Sequence, residues 1–160
     1  MEAVAKSKMQ TVHRRNRSQE HTFTEANKLC LRFLSRSENV SLARLLAAGV
    51  AAEQQLTVAD LDEIKVAVSE AVSNAIIHGY QNRNDCYIEM SMALTDTRLV
   101  ISIHDDGVGI KDVEKAIRPS YSGCERMGLG FAFMHSFMDE VEVNSTPGQG
   151  TTVTLYKNMP

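Results

Sequence analysis

"EAVSNAIIHG", residues 70–79, is a run of small and apolar residues interrupted by three larger polar ones, Glu70, Asn74 and His78, each four positions from the last. On a helix, positions i, i+4 and i+8 lie nearly above one another, so the three form one stripe while Ala71, Val72, Ala75, Ile76 and Ile77 fill the other faces. Such a stripe faces either solvent or a polar cleft. A carboxylate, an amide and an imidazole suit a cleft in which a proton is taken and a metal is held.

The striped helix begins upstream, at the capping box Thr57-x-x-Asp60, and runs through Ile64, Val68, Val72 and Ile76 until Gly79 ends it. Before it, Leu29, Leu31 and Phe33 alternate with polar residues as in a half-buried strand. Ser35-x-x-Glu38 then offers a capping box for a helix carrying Leu42, Leu45, Leu46 and Val50. After the loop-like "QNRND", the stretches "CYIEMSMAL" and "RLVISIHDD" read as strands. A glycine-containing segment leads to a short helix, "GFAFMHSFM", and a last hairpin runs from "EVEVNS" through "TPGQG" to "TTVTLYK". This order predicts an α+β two-layer sandwich, a mixed sheet with helices covering one face.

At 160 residues and 43% hydrophobic content, the chain can bury one sizeable core. Residues 28–160 are expected to form that domain. Residues 1–27 hold Lys6, Lys8, Arg14, Arg15 and Arg17 with little apolar periodicity, and read as a flexible, solvated basic tail. A net charge of −3 gives no global reason to bind nucleic acid or an anionic membrane. No apolar run has the length of a membrane span, and no signal peptide follows the charged start, which predicts a cytoplasmic protein. Cys30, Cys86 and Cys124 are widely spaced and fit free thiols.

Two glycine motifs carry further chemistry. In "DDGVG", residues 105–109, Gly107 and Gly109 allow a tight turn and close approach of backbone to a ligand at the end of a buried strand. Asp105 there can accept a hydrogen bond from the exocyclic amine of adenine, where guanine presents a carbonyl. Alone, the motif is more often an ordinary strand-ending turn. In "ERMGLGF", residues 125–131, Gly128 and Gly130 stand at the start of the expected helix, whose free N–H groups attract phosphate, and Arg126 adds a positive charge. A flexible loop is the alternative reading of that segment.

Taken in order, the Glu70/Asn74 helix, D-x-G-x-G after a strand, G-x-G before a helix and "GQGTT" entering the last strand resemble the ATP-binding domain of the GHKL superfamily over residues 28–157. The resemblance implies that ATP or ADP is bound, with Asn74 as a Mg2+ ligand and Glu70 as general base. It assigns Asp105 to adenine, Gly107 and Gly109 to its pocket, Gly128 and Gly130 to a lid over the phosphates, and Thr151 to the neighbourhood of the base. His78 either approaches phosphate or is hydrogen-bonded at the helix end.

"EIKVAVSEAVSNAIIHGY", "DDGVGI", "GLGFAFMHSFMDEVEV" and "GTTVTL" are similar, more narrowly, to the serine-kinase anti-sigma factors of spore-forming bacteria. That family implies a homodimer that sequesters a sigma factor and uses ATP to phosphorylate a serine of an anti-anti-sigma protein. It makes Arg44, in "ENVSLAR", either a partner contact or a plain surface arginine. The segment "PSYSGCERMG" is shorter than the lid such proteins lead one to expect. Two other readings stand beside the kinase: a nucleotide-dependent binding module without useful catalysis, and the catalytic domain of a histidine kinase. The last would need a phosphoacceptor histidine on a dimerisation hairpin, and neither His13 nor His21 lies in an amphipathic helix.

Overall fold

The computed structural model describes residues 27–118 and 125–160, and the side chains of 125–127 lie outside that description. The basic tail, the centre of the expected lid and the Arg126 side chain are therefore outside the described residues. Chain order is β1 (Asn27–Leu34), α1 (Glu38–Ala51), α2 (Val58–Asn74), β2 (Tyr87–Leu94), β3 (Arg98–Asp105), α3 (Val113–Ile117), α4 (Glu125–Phe137), β4 (Glu140–Thr146) and β5 (Gly150–Asn158).

The five strands form one sheet in the order β1-β2-β3-β5-β4. Every neighbouring pair is antiparallel, so the sheet is not mixed as the sequence reading expected, although the α+β sandwich is as expected. The reason is topological. The two helices between β1 and β2 make three reversals of the chain, so β2 returns antiparallel to β1, and each later neighbour in the sheet is antiparallel too. One sheet face is apolar, with Ile88, Met90 and Met92 of β2, Leu99, Ile101 and Ile103 of β3, and Leu155 of β5 all buried. Alternation along β3 is strict, each buried residue followed by a half-exposed one, which is the pattern of a sheet covered on one side.

Helix α2 crosses the apolar face with Ile64, Ala67, Val68, Ala71 and Val72 inward. Its capping box forms as read: Asp60 N–H donates to Thr57 Oγ1 at 3.1 Å and Thr57 N–H to Asp60 Oδ2 at 2.9 Å. Past Asn74 the helix widens into one π-turn, Ala75–Gly79, before the chain leaves at Tyr80. Single π-turns of this kind often accompany functional sites.

Two local expectations are corrected. Ser35 does not cap α1; it is buried and donates to the Arg83 carbonyl at 2.6 Å, while Ser37 holds the N-cap position without a side-chain cap bond. The buried stripe of α1 is Ala43, Ala47, Ala48, Val50 and Ala51, and Leu42 and Leu45 are 59% and 58% exposed. Alanines and leucines both recur at helical spacing here, and the smaller set is the one that lets α1 pack closely on the core. Helix α4 also begins earlier than expected, at Glu125, so Gly128 and Gly130 lie within its first turns instead of preceding it. Among the described residues, no helix is long and apolar enough to cross a membrane.

Candidate functional site

A pocket of about 460 Å³, partly open to solvent, lies between the C-terminal end of α2, the π-turn, the ends of β3 and β5, and α4. Asn74, Asp105, Gly109 and Thr151, all singled out by sequence, line it together with His78. Ile103, Ile110, Phe131 and Val153, none of them singled out by sequence, give it apolar walls.

Asp105 ends β3 with its side chain turned to the inner face, 4% exposed. Its Oδ1 accepts from Gly107 N–H at 2.9 Å. Burial raises its pKa above the usual aspartate value, against the lowering effect of that hydrogen bond and of nearby His104. The backbone crowds the carboxylate: a Cβ on Gly79 would stand 2.5 Å from Asp105 Oδ1, and one on Gly107 would strike the Gly79 carbonyl. Gly107 therefore lies behind the carboxylate and not on the pocket wall. Gly109 has φ +69°, and it lines the pocket where the turn comes round.

The turn is held from both sides. Val108 N–H donates to the Gly79 carbonyl at 3.0 Å, and Gly148 N–H to the Val108 carbonyl at 2.8 Å. The Tyr80 hydroxyl accepts from Asp106 N–H at 2.8 Å while donating to the Tyr87 carbonyl. Tyr80 thus fixes the start of the turn, a role that nothing in its local sequence announces.

Thr151 is 8% exposed, at the start of β5 opposite Asp105. Ser145 Oγ donates to the Gly150 carbonyl and accepts from Ile110 N–H, so the 2.8 Å contact between Ser145 Oγ and Thr151 Oγ1 has threonine as donor. The Thr151 oxygen then keeps lone pairs for the pocket.

On α2, Asn74 reaches the pocket, and its Nδ2 is buried without a hydrogen-bond partner. An amide so placed is incomplete until something enters. Glu70 lies one turn earlier, half-buried, and burial pushes its pKa above the usual glutamate value. It faces α4: a Cβ on Gly130 would stand 2.8 Å from Glu70 Oε2 and 3.6 Å from Asn74 Oδ1. That close packing explains glycine inside a helix. Gly128 is buried two residues before it, in the same helix. His78, in the π-turn, also lines the pocket, and burial holds its pKa below the usual histidine value. Neutral imidazole is the form favoured there.

The arrangement joins an apolar slot, a buried carboxylate at one end, and an amide followed by a carboxylate at the other. Those are the parts needed to hold a flat, amine-bearing heterocycle and to take a proton beyond it. Among the described residues no cluster of three or more His, Cys, Asp or Glu side chains could hold a metal, so any cation here would rest on Asn74 with oxygens from a ligand and water.

Residues 33–157 match the histidine kinase-like ATPase domain family. The chain is 44% identical over 134 residues to the anti-sigma F factor of Clostridium acetobutylicum, covering 82% of this chain and 93% of that protein. It is 46% identical over the same shares to the anti-sigma F factor of Caldanaerobacter subterraneus. Among solved structures, the RsbU and RsbW domains of a Mycobacterium tuberculosis protein superpose with a TM-score of 0.59 at 21% identity, over 82% of this chain and 32% of that one. A blue-light activated histidine kinase of Erythrobacter litoralis gives a TM-score of 0.51 at 23% identity, over 65% of this chain and 32% of that one. At such identities the two structures speak to the fold alone.

Proposed function

The chain belongs to the anti-sigma F factor family and is built on a histidine kinase-like ATPase domain, and from that premise we propose that it is a cytoplasmic protein-serine kinase that also sequesters a sigma factor. The substrate of the kinase is a serine of an anti-anti-sigma protein, and the working form is a homodimer. The observation that carries the kinase reading is Glu70: a half-buried carboxylate of raised pKa that does not itself line the pocket but lies one helical turn from Asn74, which does, and against Gly130 of α4.

Adenine enters the apolar slot with its exocyclic amine on Asp105 and Thr151 beside it. Gly107 and Gly109 let the turn close around the base, and the α4 segment with Arg126, Gly128 and Gly130 lies toward the phosphates. The buried Asn74 Nδ2, a donor without a partner, suits a phosphate oxygen, and the amide oxygen on the same side chain would be the ligand for Mg2+, an ion that would neutralise phosphate charge. Glu70 takes the proton from the incoming serine hydroxyl. The serine Oγ forms a bond to the γ-phosphorus as the bond from that phosphorus to the β–γ bridging oxygen breaks, and ADP leaves with the electron pair.

The test uses labelled ATP with a candidate anti-anti-sigma protein and, in the same preparation, ATP-dependent capture of a sigma factor. Wild type should transfer label to serine. Glu70→Gln should lose transfer by roughly a hundredfold to ten-thousandfold, the range for a positioned base, while capture persists. Capture without transfer by the wild type would leave a nucleotide-dependent binding module. Loss of both activities in the variant would make Glu70 structural.

A further inference from the structure

Lys157 leaves the far end of β5 with its side chain 13% exposed. Its Nζ donates to Glu63 Oε2 of α2 at 2.9 Å and to the carbonyl of Phe137, the last residue of α4, also at 2.9 Å. Asp60 Oδ1, from the capping box of α2, stands 3.9 Å away. One ammonium thus joins the N-terminal part of α2 to the C-terminal end of α4. The turn after α4 has its own ties to the sheet: Asp139 N–H donates to the Tyr156 carbonyl at 2.9 Å, and Asn158 N–H to Asp139 Oδ2 at 2.6 Å. Those bonds fix α4 to β5. Lys157 adds the link to α2.

Because Glu70 belongs to α2 and Gly130 to α4, we infer that Lys157 is a positioning residue for phosphoryl transfer, setting where α4 lies along α2 and so how Gly130 sits against the Glu70 carboxylate. The inference rests on the kinase reading of Glu70. Gly130 is seven residues from Phe137, about 10 Å along a helix, so a tilt or slide at the lysine is carried to the carboxylate as a displacement. The carboxylate follows such a displacement, since a single carbon added at Gly130 would stand 2.8 Å from Glu70 Oε2 and the side chain would have to move with α4. Lys157 touches neither the base pocket nor the reacting atoms. Its effect should fall on the chemical step more than on nucleotide affinity.

The test takes the full chain with Lys157→Met, which keeps the apolar stem, and Lys157→Arg, which restores a charged donor. ADP affinity, the kcat and KM for transfer from ATP to the anti-anti-sigma protein, and amide hydrogen exchange over residues 128–137 are measured on each. For the Met variant, ADP affinity should stay within about threefold and KM should hold, while kcat falls about tenfold, the scale of a sub-ångström to ångström misplacement. Exchange in α4 should quicken, and Arg should restore both readouts. If Met does not fold, Glu63→Gln removes the carboxylate partner and should move kcat and exchange the same way. Wild-type kcat and exchange in the Met variant would overturn the inference. So would affinity and kcat falling together without rescue by Arg, the mark of a merely structural lysine. Absence of transfer by the wild type would sink the kinase reading instead, and the exchange arm would still decide whether Lys157 positions α4.

Discussion

In the proposed binding mode, Asp105 meets the base with one buried carboxylate. Hydrogen bonds to charged groups contribute about 1.5–3 kcal/mol, so Asp105→Asn, which keeps shape but loses the charge, should weaken ATP and ADP alike by about tenfold or more. Calorimetric titration of both nucleotides checks this, and unchanged affinity for both would remove Asp105 from the base pocket. Burial also gives the residue a pH signature. Its folded pKa lies above the ordinary value, so the folded, nucleotide-free protein holds that proton more tightly than the unfolded chain does. The resulting stability is full below the unfolded aspartate pKa and is lost as pH rises through the raised folded one. Melting temperature against pH should therefore fall less steeply across that window in the Asn variant than in the wild type. Nucleotide binding runs the other way, because the ionised carboxylate is the better acceptor for the adenine amine, and ADP affinity should rise over the same window.

Helices α1 and α4 each hold a glycine, and the two answer substitution differently. Gly49, in α1, has nothing within 4 Å of an added Cβ, so Gly49→Ala should gain most of the helix propensity difference, about 0.8–1 kcal/mol, seen as a rise in melting temperature. Gly130→Ala gains the same propensity but drives a methyl group into Glu70 and toward Asn74. The Glu70 carboxylate ends a flexible, half-buried side chain and can swing aside, so melting should change little while the displaced base transfers phosphate more slowly. A Gly130→Ala protein as active as wild type would show that α4 does not position Glu70 in solution. The stripe Glu70, Asn74, His78 was legible because i, i+4 spacing is a local signal, and the Thr57 capping box because its partners are three residues apart. Ser35-x-x-Glu38 has the same spacing, yet the side chain found a better acceptor in Arg83, 48 positions away. Tyr80 at the adenine turn and Lys157 between the helices left no trace in the sequence for the same reason. Lys157 and Glu63 are 94 residues apart, and only the fold brings them together.

At the scale of the whole molecule, the nucleotide pocket and the apolar surface lie on different helices. The pocket is built on α2, α4 and the strand ends, while α1 exposes Leu42 and Leu45 with Arg44 beside them. Leu42 and Leu45 are three positions apart and so share one face of α1. Two leucines more than half exposed on one helix are a cost in an isolated domain and a gain at an interface. A homodimer or a sigma factor docked on this face would bury both leucines. Changing Leu42 and Leu45 together to glutamate places two charges where apolar contact is expected, and burying each leucine is worth about 1.5–3 kcal/mol. Association through this face should therefore weaken by about a hundredfold or more. Neither residue touches the pocket or the buried stripe of α1, so ADP affinity should stay within about twofold and melting of the monomer should be little changed. Sedimentation of the free protein, capture of the sigma factor and ADP titration on one preparation separate the outcomes. A shift to monomer assigns the face to the homodimer, and loss of capture at unchanged sedimentation assigns it to the sigma factor. Unchanged behaviour in both assays would show that the leucines are simply solvated and that partners bind elsewhere.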